Sequence, residues 1–240
     1  MLINADAKAL EWYCAIALSK DPIGLREIID GEDQHSDNQE RFRLPSRLIA
    51  KTFLFRIIYG GGARGFAGDS NFGTIGGERF WQSAIDAFYE KYQGVFEWHK
   101  RLVEHATQFG SIRIPTGRVY QYNQRELIRN IDYWRPKVLN YCVQGLGAYV
   151  MVLIRSILWE KLIEFEQVHG YKPLIVDTVH DSVLLDTEAK WCYNICTMIK
   201  DSFDLVPIRF QELFDYDLGM PLRVEITKGM DWKNMEEVEV

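Results

Sequence analysis

Cysteine is scarce in this chain, and what there is does not suit a metal. Cys14, Cys142, Cys192 and Cys196 show no CxxC spacing and no metal-site pattern, so they read as reduced, structural thiols. A secretory leader, an uninterrupted apolar run of 18 residues and a lipidation motif are all missing. The expectation is a cytoplasmic protein with no membrane partner. Internal repeats and low-complexity linkers are also missing, which removes solenoids and tethered tails from consideration. Nor is there an excess of positive charge: 28 Lys and Arg stand against 34 Asp and Glu, a net charge of −6. That balance argues mildly against a general affinity for nucleic acid.

What is present is unevenly placed. Residues 41–64 hold six basic side chains and no acidic one, and residues 111–137 hold six basic and two acidic. The last twelve residues hold four acids and one Lys. Phosphate contact depends on such local stretches and not on the total. Seven Trp, twelve Tyr and thirteen Phe serve a core first, but aromatics also stack on bases. A length of 240 residues suffices for one large or two small lobes.

Strand and helix signals alternate irregularly, giving an α+β class. Residues 2–6 read as a strand and 10–18 as a mostly buried helix. Residues 31–39 are polar and loop-like. Pro45-Ser46 starts a helix with Ser46 as N-cap, and Gly60-Gly61-Gly62 ends it. Residues 80–109 show helical periodicity, 110–122 a hairpin turning near Pro115-Thr116-Gly117, and 138–169 a long helix. A second hairpin at 172–186, a helix at 191–203 and a strand at 222–226 complete the chain.

Two aspartates and one helix carry the chemistry. Asp6 ends the first strand, and Asp181 stands at the tip of the second hairpin. Carboxylates on two adjacent strands can hold Mg²⁺ ions for an in-line displacement; taken singly, each would pass for the end of a strand at a turn. Asp177 is a rival carboxylate and reads as a solvent-facing strand residue. Arg47, Lys51, Phe55 and Tyr59 recur every four residues and so share one slowly drifting helix face. Its cationic half suits phosphates and its aromatic half a sugar and base; equally, it could be a solvated end followed by a core-facing end. Gly60-Gly61-Gly62-Ala63-Arg64-Gly65 matches GxGxxG but follows a helix, so it is no dinucleotide site, and with no Lys-Ser/Thr after it, no phosphate-binding P-loop.

In this order the segments resemble the polymerase module of family A DNA polymerases, of the bacteriophage replicative type. Asp6-Ala7-Lys8-Ala9-Leu10-Glu11 is similar to the family's motif A, and Asp33-Gln34-His35-Ser36 to its Asp-Ile-His-Thr element. Residues 44–60 resemble motif B, the fingers helix, and Val179-His180-Asp181 resembles motif C. Asn140-Tyr141-Cys142-Val143-Gln144-Gly145 resembles the palm helix that touches the primer-template minor groove, and Gly229-Met230-Asp231-Trp232 the family's C-terminal end.

The resemblance implies roles. Asp6, Asp181 and Lys51 would be catalytic, with two Mg²⁺ ions held by Asp6, Asp181 and the Ala7 carbonyl. Arg47, Lys51 and His35 would contact the triphosphate of a deoxynucleotide. Phe55 and Tyr59 would bound the nascent base pair, while Glu11 would exclude a 2′-hydroxyl. Asn140, Gln144 and His180 would read the minor groove of the primer-template. Residues 1–19 and 126–240 would form a palm of antiparallel sheet and helices around helical fingers at 20–125, with thumb and exonuclease absent. A separate N-terminal chain would supply those parts and cover an open edge of the first strand. Ser182 departs from the family's usual Glu and is typical of single-subunit RNA polymerases, which stand as the alternative beside a non-catalytic replisome subunit.

Overall fold

The computed structural model describes residues 1–239. In chain order they form β1 (Leu2–Ala7), α1 (Leu10–Ser19), α2 (Pro22–Asp30), α3 (Gln34–Arg41), α4 (Arg47–Ile58), α5 (Ala63–Ala67), α6 (Glu78–Lys91) and α7 (Gln93–Phe109). A hairpin of β2 (Ser111–Arg113) and β3 (Val119–Gln121) precedes α8 (Gln124–Arg129) and the long α9 (Ile131–His169). Then follow β4 (Leu174–Val179), β5 (Ser182–Asp186), α10 (Cys192–Asp204), α11 (Val206–Phe214), β6 (Val224–Gly229) and β7 (Glu236–Glu237). The chain divides into two compact units, one of residues 1–10 with 147–240 and one of residues 11–146.

The first unit is built on an antiparallel sheet in the order β4-β5-β1-β6-β7. In β1 the odd residues Ile3, Ala5 and Ala7 are fully buried and the even ones half-exposed, as expected of a strand with one face on a core. Contrary to the expected open edge, β1 lies inside the sheet, paired with β5 on one side and β6 on the other. The C-terminal strand fills the place that sequence order left empty. The edges belong to the two-residue β7 and to β4, where Leu174, Val176 and Val179 are exposed.

In the second unit, large aromatics make the core: Trp12, Phe53, Phe66, Trp81, Phe88 and Tyr92 are fully buried. Trp81 stacks on Phe66 at 5.0 Å and on Phe53 at 5.9 Å between ring centroids. On α4 the buried stripe is Ala50, Phe53, Leu54, Ile57 and Ile58. Four expectations are corrected here. The polar stretch at 31–39 is not a loop, since α3 begins inside it. Its sequence has no apolar stripe, and the helix is held by polar contacts: at its start Asp33 accepts from the N–H groups of His35 and Ser36, and at its middle Lys91 reaches Asp37 and Asn38.

The periodic stretch at 80–109 is broken at Tyr92 into two helices. The second one starts on Asp21, a residue 73 positions earlier. Asp21 Oδ1 caps α2 through Ile23 and Gly24, while Oδ2 accepts from the N–H of Gly94 at 2.7 Å. A Cβ at Gly94 would lie 2.7 Å from the Asp21 Cα, so only glycine permits this approach. The long helix starts at Ile131 and not at 138, running through Pro136. Proline there removes one bond near the helix start, a local loss that packing of Val138, Leu139 and Cys142 offsets. Within α9 an 18-residue window of mean hydropathy 1.5 is long enough to cross a bilayer, but 56% of it is buried in the fold. The last main strand covers 224–229, two residues later than expected.

Candidate active site

β4 and β5 are joined by the two-residue turn His180-Asp181, with Val179 and Ser182 paired across it. His180 takes φ 53°, the left-handed geometry that a tight two-residue hairpin requires. The turn is tied to the end of β1, where the N–H of Ala7 donates to the Asp181 carbonyl at 2.9 Å. Asp6 itself pairs with Ser182, the residue after Asp181. Main-chain geometry therefore brings the two aspartates to one end of the sheet, both half-exposed. Ser182 is buried and donates its hydroxyl back to the Val179 carbonyl at 3.0 Å, serving the turn. Asp177 lies exposed on β4 and accepts from the N–H of its neighbour Thr178 at 2.7 Å, apart from this pair.

The donor set fits magnesium. Among the described residues no group of three or more His, Cys, Asp and Glu converges on one point. Two carboxylates and main-chain oxygen would leave the remaining positions to water and phosphate, as Mg²⁺ prefers.

In the second unit, α3 and α4 bring together His35, Arg47 and Lys51. Ser46 caps α4 through the N–H of Ile49 at 3.2 Å, leaving Arg47 and Lys51 exposed in its first turns. His35 is 6% exposed, its ring 6.2 Å from that of Phe55, and its Nδ1 has no hydrogen-bond partner. Burial, aided by the charges of Arg47 and then Lys51, depresses its pKa to about 4, so the imidazole is neutral at pH 7. Lys51 sits 5.8 Å over the Phe55 ring. Tyr59, just past the helix, donates its hydroxyl to Glu11 Oε1. Burial first, then that bond, raises the Tyr59 pKa, with the Gln144 amide opposing the shift.

Gly60 takes φ 78° to end the helix, and a Cβ there would meet Leu139 at 2.9 Å. Asn140 is half-exposed and Gln144 exposed one turn later on α9, while His180 is exposed at its hairpin tip. Asp33 is a functional candidate that sequence reasoning missed. It holds Arg47 through a two-pronged ion pair, Nε to Oδ2 at 2.9 Å and Nη2 to Oδ1 at 3.1 Å. An Asp two residues before a candidate His was the available signal.

The first unit thus presents an antiparallel sheet with two aspartates at one end, and the second a capped helix with a cationic then aromatic face. The family model for DNA polymerase family A matches residues 1–234, and the chain belongs to that family. It is 24% identical to DNA polymerase I of Synechocystis over 97% of its length and 24% of the relative's. Against the thermostable DNA polymerase I of Thermus aquaticus the identity is 24%, over 99% of this chain and 27% of that one. A DNA polymerase of Mycobacterium phage D29 is 25% identical over 79% of this chain and 29% of its own. This chain thus spans only 24–29% of the length of these relatives. The solved polymerase domain of Pol1 from M. smegmatis, in complex with DNA primer-template and dNTP, has the same fold: TM-score 0.78 at 19% identity, over 96% of this chain and 40% of that one.

Proposed function

We propose that this chain is the fingers and catalytic palm of a DNA polymerase that adds deoxynucleotides to a primer 3′-hydroxyl. The observation that carries the reading is the main-chain tie between Ala7 and Asp181, which sets Asp6 and Asp181 side by side at a sheet end in a family A chain. In this reading residues 1–19 and 126–240 serve as palm and 20–125 as fingers. Primer-template DNA and dNTP are the ligands, the same pair that the M. smegmatis polymerase domain holds in its solved complex.

The primer 3′-oxygen attacks the α-phosphorus while the bond to the pyrophosphate oxygen breaks. Two Mg²⁺ ions, when bound by Asp6, Asp181 and the Ala7 carbonyl, would stabilise charge on the attacking and leaving oxygens. Arg47, Lys51 and neutral His35 orient the triphosphate, which lowers the barrier by positioning. Phe55 and Tyr59 flank the new base pair. Glu11, held by Tyr59, closes the space of a 2′-hydroxyl. Asn140, Gln144 and His180 would test the minor groove.

The chain works, in this proposal, as the C-terminal part of a divided phage replicative polymerase in the cytoplasm. A second polypeptide supplies thumb, upstream palm and an exonuclease. The exposed edge of β4, with Leu174, Val176 and Val179, offers that partner a strand to pair with. Primer extension by the reconstituted polymerase, with and without Mg²⁺, tests the reading. Loss of all extension in Asp181→Asn and Asp6→Asn supports it, and near-normal turnover in either defeats it. One observation favours an RNA polymerase instead: Ser182 brings no carboxylate to the motif C turn. Equal use of ribonucleotides would decide for that alternative.

A further inference from the structure

The acid at the head of α3 has no part in the mechanism above, yet it is the most heavily engaged side chain beside the nucleotide-gripping cations. Asp33 Oδ1 accepts from the N–H groups of His35 at 3.1 Å and Ser36 at 3.4 Å, and from Arg47 Nη2 at 3.1 Å. Oδ2 accepts from the Ser36 hydroxyl at 2.7 Å and from Arg47 Nε at 2.9 Å. One carboxylate therefore caps α3, fixing the backbone of His35, and at the same time grips the first residue of α4. The Arg47 bonds, foremost, hold its carboxyl far below the usual carboxylate range.

An acid beside a triphosphate site could repel its ligand. The geometry points the other way. A guanidinium carries donors along two edges. Asp33 takes the Nε–Nη2 edge, leaving the Nη1 side of the half-exposed Arg47 uncommitted. The negative charge of Asp33 is directed at Arg47 and the positive end of α3, and the free edge faces away from the carboxylate. An unrestrained Arg would lose rotamer freedom on meeting a phosphate. Held by a two-pronged pair, it has lost most of that freedom beforehand.

We propose that Asp33 is the positioning residue of the triphosphate grip, orienting Arg47 by one edge so that the other meets the nucleotide's phosphates. This rests on the polymerase reading. The test is a double-mutant cycle of Asp33→Asn and Arg47→Ala. Asn keeps the capping oxygen, so the helix is retained, but it loses the charged fork. Steady-state single-nucleotide extension by the complete polymerase gives KM and kcat, and calorimetry gives the binding of inorganic tripolyphosphate to the purified chain.

The expected result for Asp33→Asn is a rise of about tenfold in the dNTP KM, with kcat changed much less and tripolyphosphate affinity falling in parallel. In the Arg47→Ala background the same substitution should add almost nothing. Asp33→Ser, which also caps, should repeat the pattern should Asn disturb the fold. An equal KM rise on both backgrounds, no rise, or a fall would overturn the proposal while the polymerase reading stands. An Arg47→Ala variant with unchanged KM would overturn the nucleotide role of α4 and this proposal together.

Discussion

Charge is positioned by opposite means in the two units. In the second unit, side chains hold side chains. Lys91, 5% exposed, donates to Glu27 at 2.8 Å, Asp37 at 2.6 Å and Asn38 at 3.0 Å, while Tyr92 donates to Glu27 at 2.9 Å. Asp33 likewise fixes Arg47. In the first unit the backbone does the work: the hairpin register and the Ala7 N–H fix Asp181 at a half-exposed turn. A buried ion network is weak evidence of stability, because desolvation offsets its Coulomb gain. Its product here is geometry, since it joins α2, α3 and the end of α6. Carboxylates meant for a hard cation need the reverse arrangement, with fixed backbone and accessible oxygen. The contrast implies that substitutions in the first region remove chemistry and spare the fold, whereas those in the buried network remove the fold.

The sharpest break of that comparison is Asp181→Asn or Asp6→Asn. Turnover should fall by about a thousandfold or more, because in the proposed mechanism several kcal/mol of charge stabilisation would go with the metal ions these carboxylates hold. The melting temperature should barely move. Pre-steady-state extension beside a thermal melt checks both halves, and a large drop in melting temperature would erase the distinction between the regions.

Lys91→Met should do the opposite. Stranding the buried Glu27 carboxylate should cost about 3–5 kcal/mol in denaturant unfolding. Adding Glu27→Gln should recover part of the loss, since the charge left behind is then removed. Full stability in the single variant would mean that the network is not what joins these helices.

Smaller effects sharpen the nucleotide side. Glu11→Ala frees the Tyr59 hydroxyl and opens the space assigned to a 2′-hydroxyl, so discrimination against ribonucleotides should fall by roughly tenfold or more. Competitive incorporation of the two nucleotide types measures it. The least effect concerns pH. Burial depresses His35 to about 4 and His99 to about 3, so between these values and the ordinary 6.5 the unfolded chain binds more protons than the folded one. Stability contributed by both is full above pH 6.5 and should be lost as pH falls toward 4. Melting temperatures from pH 8 to 4 should be flat, then decline, and His35→Gln should shallow the decline.

Local signals were legible. Ser46 caps α4 as expected, both hairpins fall where their turns suggested, and Gly60 ends the helix in the left-handed region. Such features depend on residues within a few positions of one another, so the sequence displays them directly. The four-residue stripe of α4 was visible too, because the opposite face is continuously apolar. The division of a periodic run at Tyr92 was not visible. The capping carboxylate comes from Asp21, and nothing near residue 92 announces it. Helix α3 escaped for the same reason, lacking an apolar stripe and depending on Lys91.

The sequence by itself determined which groups are candidates for the chemistry: two aspartates that end on strands, a basic and aromatic helix, and their order along the chain. Tertiary structure alone decided that β1 is an inner strand flanked by both β5 and β6, and that Arg47 is already held by Asp33. Hydrogen bonds between residues far apart in sequence depend on which segments meet after collapse. Turn and cap chemistry is written into neighbouring residues and needs no such meeting.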